Sequence, residues 1–487
     1  MDANLVQEAI QNVNFSAIMP SLVLSVFGMV LLLVSVFSQR GKTTPIAWLS
    51  FIALVITGIV TLSGWNNPQA GFAGSVLLDN FATFFNMICI IAAALTILMS
   101  DNYLKREGYP VGEYYALILF TTAGAMWMAS GTDLMTIFLG LEVLSVSLYV
   151  LAGFFRDQTR SNEAGLKYFF LGAFSTGFLL YGVALLYGVT GTTKIHGIAE
   201  YVAANSAASS NIMFIAGGML LLTGFLFKVA AAPFHMWTPD VYQGAPTPIT
   251  AFMSAGPKAA AFAAFIRVTM VALESMQADI TAVFWVLAVL TMTAGNFIAL
   301  SQKDIKRMLA YSSISHAGYA LVGLVAWNEI GYTGIMFYML VYTFMNMGAF
   351  AVLVLIGKKG EDNLTVDGVK GMGYKRPVLA IALSIFLLSL MGMPPTAGFA
   401  GKFYIFAAAV KSGYIWLAVI GVLNSAVSLY YYLRVMVSMY FKDAEEDFSW
   451  AVMNTGTAIS IVIAIAGVLL LGVLPGPVME MAKLAGF

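Results

Sequence analysis

Hydrophobic and polar positions along this chain do not alternate at the short periods of a soluble core. They fall into long apolar runs of about 20 residues, the length of a helix that crosses a bilayer, separated by brief polar connections. Fourteen spanning helices are predicted, near 16–38, 44–64, 77–99, 112–130, 132–155, 163–190, 210–242, 249–273, 279–300, 305–326, 332–357, 377–411, 414–440 and 454–474. The seventh and twelfth are too long for one straight span. Both contain internal prolines, so both are expected to be broken. The predicted fold is an all-α polytopic membrane protein, a single membrane domain over residues 1–487.

The connections carry the orientation. With the first residue placed outside, the inside connections hold Arg40, Lys42, Lys105, Arg106, Arg156, Arg160, Lys303, Lys306, Arg307, Lys358, Lys359, Lys370, Lys375, Arg376 and Lys442. The outside connections hold Lys194, Lys411 and Lys483. That asymmetry predicts both termini on the outer side, the periplasm of a bacterial inner membrane. The 358–376 connection, KKGEDNLTVDGVKGMGYKR, reads as a solvated loop, with a partner-contact role as the alternative. The first residues, MDANLVQEAI, lack a basic region, so no cleaved signal peptide is expected.

Composition sharpens the class. Of 487 residues 60 % are hydrophobic and 10 % charged, and mean hydropathy is +0.86. Soluble domains carry about 25 % charged residues. Net charge is zero, which argues against nucleic acid as a partner. The single cysteine, Cys89, cannot form an internal disulfide, and no metal or iron–sulfur spacing is present. No Walker or dinucleotide-binding glycine pattern is visible.

One stretch concentrates the candidate chemistry: GFLFKVAAAPFHMWTPDVYQGAPTPITAF, residues 224–252. Lys228 lies roughly a dozen residues into an apolar segment, or about 18 Å at helical rise, too deep to snorkel easily. Pro233 follows, depriving the carbonyl of Val229 of its helical partner. In lipid such a group must be satisfied by protein or water, which predicts a polar, wet interior at the break. An intramembrane lysine beside a broken helix is a functional-site candidate. Asp240, after Pro239, is expected to cap the short second half.

Few other ionisable groups sit deep. Glu142 lies near the middle of the fifth helix, Lys258 in the eighth, His316 in the tenth and Lys402 beyond the break in the twelfth. Each is about 15 Å from a helix end by rise per residue. A row of titratable groups at one depth points to a proton path rather than a solute pocket. A buried lysine is poised to load and release a proton, and a carboxylate approaching it biases it toward holding one. Glu142 is therefore the expected partner of Lys228. A static ion pair for Glu142 and a satisfied core role for His316 stay open. Lys167 reads equally as site or anchor. Arg267 and Arg434, towards helix ends, read as anchors, and Met126, Trp127 and Met128 as packing.

Helices four to eight (112–273) and nine to thirteen (279–440) form two sets of five. An odd count inverts the second set, giving an inverted repeat of the kind found in transporters. The fourth member of each set is a broken helix, carrying Lys228 in one and Lys402 in the other. The lysine precedes the proline in the first and follows Pro394-Pro395 in the second.

FKVAAAPFHMWTPDVYQGAPTPITAF resembles the signature of the antiporter-like membrane subunits of respiratory complex I, NADH:quinone oxidoreductase. PDVYQGAPTP together with PPTAGFAGKFYIF is similar to the subunit N branch of that family, subunit 2 in mitochondria. In the sister branches the first motif reads more like PLHTWLPDA, and one has glutamate at the position of Lys402. The resemblance covers essentially the whole chain. It implies fourteen helices, two inverted five-helix repeats, broken helices seven and twelve, and a place in the membrane arm beside other antiporter-like and small subunits. It implies a hydrated axis on which Glu142, Lys228, Lys258 and Lys402 carry protons, with Lys167, His235 and His316 secondary. It places flavin mononucleotide and iron–sulfur clusters in partner subunits, quinone elsewhere, and no cofactor or metal in this chain.

Two rival readings belong to other classes. A subunit of a multi-subunit sodium/proton antiporter needs several oxygen ligands for sodium, and Glu142 is the clear midplane carboxylate. A scaffold that moves no protons leaves three deep lysines unexplained, at about 2.5–3.5 kcal/mol each on insertion scales.

Overall fold

The computed structural model describes residues 13–38, 43–205, 210–444 and 454–486. Arg40 and Lys42, assigned above to an inside connection, lie outside the described residues. The spanning helices are α1 (Met19–Phe37), α2 (Thr44–Leu62), α3 (Asn80–Glu107), α4 (Glu113–Ser130), α5 (Leu134–Ala152), α6 (Thr159–Thr190), α7a (Ile212–Lys228) with α7b (Thr238–Gly244), and α8 (Thr247–Arg267). They continue with α9 (Gln277–Leu300), α10 (Ile305–Ala326), α11 (Glu329–Ile356), α12a (Pro377–Met391) with α12b (Ala397–Lys411), α13 (Ile415–Phe441) and α14 (Thr455–Val473). Among the described residues, eleven helices are long and apolar enough to cross a membrane unaided. With α4 and the two composite spans they make up the predicted fourteen.

The helix starts follow local chemistry. Asp79, Asp133, Asn211, Asp304, Asn328 and Asn454 each accept a backbone N–H of the first turn, satisfying donors that the helix itself leaves orphaned. Proline opens α1, α2, α8 and α12a, where its missing N–H costs nothing.

Burial sorts the helices by position. α8 and α10 are buried along their length and α11 nearly so, whereas most of α1, α2 and α14 is outward-facing. Leu33, Ile59 and Val462 there present bare apolar side chains, as a lipid-facing surface does. The central helices α8, α10 and α11 carry Lys258, His316 and a run of tyrosines. The same adjacency recurs in both five-helix sets: first against second, third against fourth, first against fifth.

Both predicted breaks are present, but the first is placed differently from expectation. α7a ends at Lys228, and Ala230 adopts a left-handed backbone with φ 62°. Pro233 thus lies beyond the helix end. Backbone groups in the break find protein partners: Ala232 N–H donates to Thr291 Oγ1 of α9 at 2.9 Å, and Phe227 O accepts from Trp237 Nε1 at 3.1 Å. The second break runs from Gly392, φ 87°, through Pro394-Pro395 to Thr396.

The basic connections meet on one face. Arg160 pairs with Asp362 at 3.1 Å, Lys306 with Glu361 at 2.7 Å, and Arg106 comes within 4.0 Å of Glu361. The 358–376 connection is therefore not a solvated loop. Leu364, Val369 and Met372 are fully buried, and Val366 N–H bonds Lys303 O at 2.9 Å. Charged composition did not reveal this because the partners sit on distant helices. The opposite face carries a hairpin (β1 Gln69–Gly71 with β2 Val76–Leu78) and two short helices, Ile195–Ala204 and Gly476–Leu484. None of these four elements was predicted.

Candidate functional site

Lys228 is 6 % exposed and occupies the last turn of α7a. Its ammonium donates to Ser145 Oγ of α5 at 2.8 Å and to Tyr168 OH of α6 at 3.1 Å, and lies 5.4 Å from the centre of the Tyr168 ring. Tyr168 stacks on Trp237 from the break, with centroids 4.5 Å apart and planes within 7°. The geometry of the break is thus transmitted directly to the lysine's phenol partner. Glu142 stands one helical turn before Ser145. It makes no ion pair with Lys228, and its Oε1 is buried without a hydrogen-bond partner among the described residues. In place of the expected direct pair, the ammonium is held by the Ser145 and Tyr168 hydroxyls.

Lys258, 3 % exposed, donates to Ser313 O at 2.9 Å and Ser313 Oγ at 2.5 Å on α10, beside the ring of Tyr342 at 5.9 Å. One turn further along α10, His316 is enclosed by tyrosines. Its Nδ1 is 2.6 Å from Tyr338 OH and its Nε2 3.4 Å from Tyr432 OH. Tyr319 and Tyr342 pack on its ring at 5.6 and 5.0 Å. Tyr432 OH also bonds Ser312.

Lys402, 5 % exposed, reaches back from α12b across the break. Its ammonium donates to Leu390 O at 3.1 Å, Met391 O at 2.9 Å and Ser425 Oγ at 2.8 Å, and lies 4.7 Å from the ring of Tyr319. This resolves the difference in motif order. Both lysines address the C-terminal end of a half-helix, where free carbonyls and the macrodipole favour a cation; one is part of that end and the other folds back onto it. Tyr319 touches both His316 and Lys402, so the surroundings of Lys258 and Lys402 meet along α10. Lys402 and Ser425 also floor an apolar crevice of about 730 Å³ between α12b and α13.

The remaining candidates divide. Lys167, 40 % exposed, pairs with Glu163 and Asp240 at 2.6 Å each. Asp240 also binds Arg307 at 2.6 Å, and Arg307 bonds Gln243 at 3.0 Å. Asp240 therefore does not cap α7b, whose N-cap position belongs to Trp237. It clamps α7b between α6 and α10, because two cations outcompete a single amide for a carboxylate. His235 is half-buried in the break, its Nδ1 unpartnered among the described residues, with no hydrogen bond to the lysines. Arg267 is no anchor: it is buried against Asp79 at 3.1 Å and over Phe81 at 4.9 Å. Arg434 closes the end of α9 through Leu300 O at 2.9 Å and Gln302 O. Met126 and Met128 pack in the core as expected, and Trp127 adds a bond to Ser21 Oγ at 2.6 Å.

Sequence reasoning missed Ser145, Tyr168, Ser313, Tyr319, Tyr338, Tyr342, Tyr432 and Ser425. A helical-period signal was available for several: Ser145 is i+3 from Glu142, Ser313 i−3 and Tyr319 i+3 from His316, and Tyr338 and Tyr342 are four apart.

Comparison with known proteins gives a consistent picture. A family model described as NADH:quinone oxidoreductase/Mrp antiporter, TM, matches residues 131–428. A protein from Trichlorobacter lovleyi named NADH-quinone oxidoreductase subunit N is 59 % identical over 485 residues, covering 100 % of this chain and 99 % of the relative. A chain of respiratory complex I from Thermus thermophilus, solved with bound aureothin, is similar with TM-score 0.79 and 35 % identity, over 95 % of this chain and 98 % of that one. A chain of the Mrp complex from Dietzia sp. shares the fold, with TM-score 0.83 and 21 % identity over 96 % of each chain.

Proposed function

The chain belongs to the NADH:quinone oxidoreductase/Mrp antiporter membrane family, as a subunit N of respiratory complex I, and on that premise we propose that Lys228, Lys258 and Lys402 carry its protons. It is a proton-translocating multi-pass subunit of the membrane arm of NADH:quinone oxidoreductase, assembled with other membrane-arm subunits. The observation that carries the residue assignment is the row itself. Three buried ammonium groups are each held by hydroxyls or carbonyls rather than by a carboxylate, and Ser313, His316 and Tyr319 of α10 lie between Lys258 and Lys402. Such partners hold a proton without trapping it, whereas a fixed buried ion pair costs several kcal/mol to break (about 3–5).

In this reading Glu142, one turn from Ser145 on α5, biases Lys228 through its charge. Lys258 and His316 pass the proton along the centre, and Lys402 delivers it to the crevice side. Lys167 acts through Asp240 as a positioning residue, and His235 has a secondary place in the break. The recurrent adjacency supports two inverted repeats over 112–273 and 279–440. The basic connections support an orientation with both termini in the periplasm; an alkaline phosphatase fusion at the C-terminus, active in that orientation, tests it. Redox centres, flavin and iron–sulfur, are assigned to partner subunits, and quinone reduction to the assembled enzyme.

The test is Lys228→Ala in the assembled complex. Proton pumping per enzyme falls sharply if the reading holds. Unchanged pumping would return the chain to a scaffold role. Sodium-dependent proton exchange from a purified complex lacking flavin would favour the antiporter alternative.

A further inference from the structure

Helix α8 is buried along its whole length, yet before its last residue, Arg267, it carries four hydrophilic side chains: Thr247, Thr250, Ser254 and Lys258. Their spacing places them within about 80° of arc on one helix face, at about 100° per residue. The stripe starts on the face where the basic connections meet and ends at the central lysine.

Each step has a polar neighbour. Thr247 Oγ1 donates to Glu361 Oε1 at 2.5 Å, and Thr247 N–H donates to Tyr103 OH at 3.1 Å. Thr250 Oγ1 donates to Tyr242 O at 2.8 Å. Asn346 Nδ2 of α11 donates to Ser254 Oγ. Flanking the stripe, Tyr242 OH, Asn346 Oδ1 and Tyr342 OH are buried with no hydrogen-bond partner among the described residues. Three such atoms along one line of hydroxyls are expected to be served by water, since a buried polar group in a membrane interior must be satisfied.

At the mouth stands Glu361. Its backbone has φ 60°, left-handed for a residue with a Cβ, a conformation that persists where surroundings impose it, often at functional positions. Lys306 of α10 pairs with it at 2.7 Å. Arg106, Glu107 and Tyr103 of α3 face it as well: Arg106 at 4.0 Å, Glu107 paired to Arg106 at 3.0 Å, Tyr103 through Thr247.

We propose that protons also reach Lys258 from the basic-connection side along this face of α8, collected at Glu361 and passed by Thr247, Thr250, Ser254 and intervening water, with Asn346 positioning Ser254. The route rests on the proton-carrying role assigned to Lys258 above. A proton taken from solvent by the Glu361 carboxylate leaves through the hydroxyl and water chain. It ends on the Lys258 amine, and Glu361 returns to its pairing with Lys306.

The experiment compares isosteric pairs in the assembled NADH:quinone oxidoreductase, with assembly scored on native gels. Ser254→Val lowers NADH-driven pumping at least roughly tenfold, the lower range of losses for interrupted proton transfer, while Ser254→Thr stays within about twofold of the native enzyme. Thr250→Val against Thr250→Ser repeats the comparison if a Ser254 variant fails to assemble. Glu361→Gln depresses turnover most at alkaline pH on the uptake side, and Glu361→Asp restores the profile. Equal behaviour of the hydroxyl-bearing and hydroxyl-free variants, whether both active or both impaired, overturns the route. Lys228→Ala in the same assay separates the two failures: if it is impaired while Ser254→Val pumps normally, the route falls and the broader reading stands.

Discussion

Ser145→Ala is the sharpest perturbation of the surroundings of Lys228. The hydroxyl accepts from Lys228 at 2.8 Å and sits one turn from Glu142. Removing it deletes one hydrogen bond to a charged donor, worth about 1.5–3 kcal/mol. Tyr168 OH at 3.1 Å remains. The change leaves almost no cavity, and alanine is the best helix former, so assembly is expected to survive. If the serine-held ammonium is an intermediate of transfer, about 1.5–3 kcal/mol corresponds to a roughly 10–150-fold loss, at about 1.4 kcal/mol per decade. Ser145→Thr keeps the oxygen and is expected to retain most activity. The double variant Ser145→Ala with Tyr168→Phe is expected to approach Lys228→Ala, because both hydroxyl partners of the ammonium are then gone and only the ring face remains. The assay is the initial rate of NADH-driven acidification of inverted membrane vesicles, per assembled complex. A Ser145→Ala enzyme that pumps at the native rate would refute a part for the serine-held ammonium in transfer.

Other elements yield expectations of the same kind. Asp240→Asn removes both ion pairs that clamp α7b; the half-exposed pairs contribute only about 0–1 kcal/mol each, so melting of the complex shifts little while pumping drops through misplacement of Trp237 and Tyr168. Glu361→Ala leaves Lys306, 3 % exposed, without its carboxylate and costs about 3–5 kcal/mol, read as faster tryptic cleavage at Lys358 and Lys359. Burial pushes the Glu361 carboxyl up, but Lys306 and the bonds from Lys306, Thr247 and Tyr103 outweigh it and hold the carboxyl below its ordinary 4.5. Its contribution is therefore complete above that value and is lost only as pH falls through the lower folded one; protection of the 358–376 connection from pepsin is expected to persist at pH 4.5 and to fail in stronger acid. Gly392→Ala places a Cβ 3.1 Å from Lys402 Cδ at φ 87°, costing about 1–2 kcal/mol in backbone alone and lowering pumping by displacing the lysine from Met391 O.

What could be read from sequence was whatever a bilayer penalises. Lys228, Lys258 and Lys402 stood out because a lone charge in an apolar run has no cheap explanation, and both breaks were marked by proline. The hydroxyl partners did not stand out, because serine and threonine in a spanning helix commonly bond their own i−4 carbonyl, as Thr57, Thr96 and Thr343 do here. Ser145 and Ser313 look the same in sequence and differ only by which lysine approaches. The Glu142–Lys228 distance was likewise unreadable, since it depends on how α5 packs on α6 and α7a. Asp240 was misassigned because its partners, Lys167 and Arg307, are 73 and 67 residues away, and the pinning of the 358–376 connection depends on α3, α8 and α10 converging on one carboxylate.

Every path described here meets at Lys258. The most direct measurement is therefore NADH-driven proton translocation by the assembled complex carrying Lys258→Met, which keeps the length and apolar stem of the side chain and removes its amine. Loss of translocation with assembly intact is the result predicted. Native proton translocation by that variant would contradict the account.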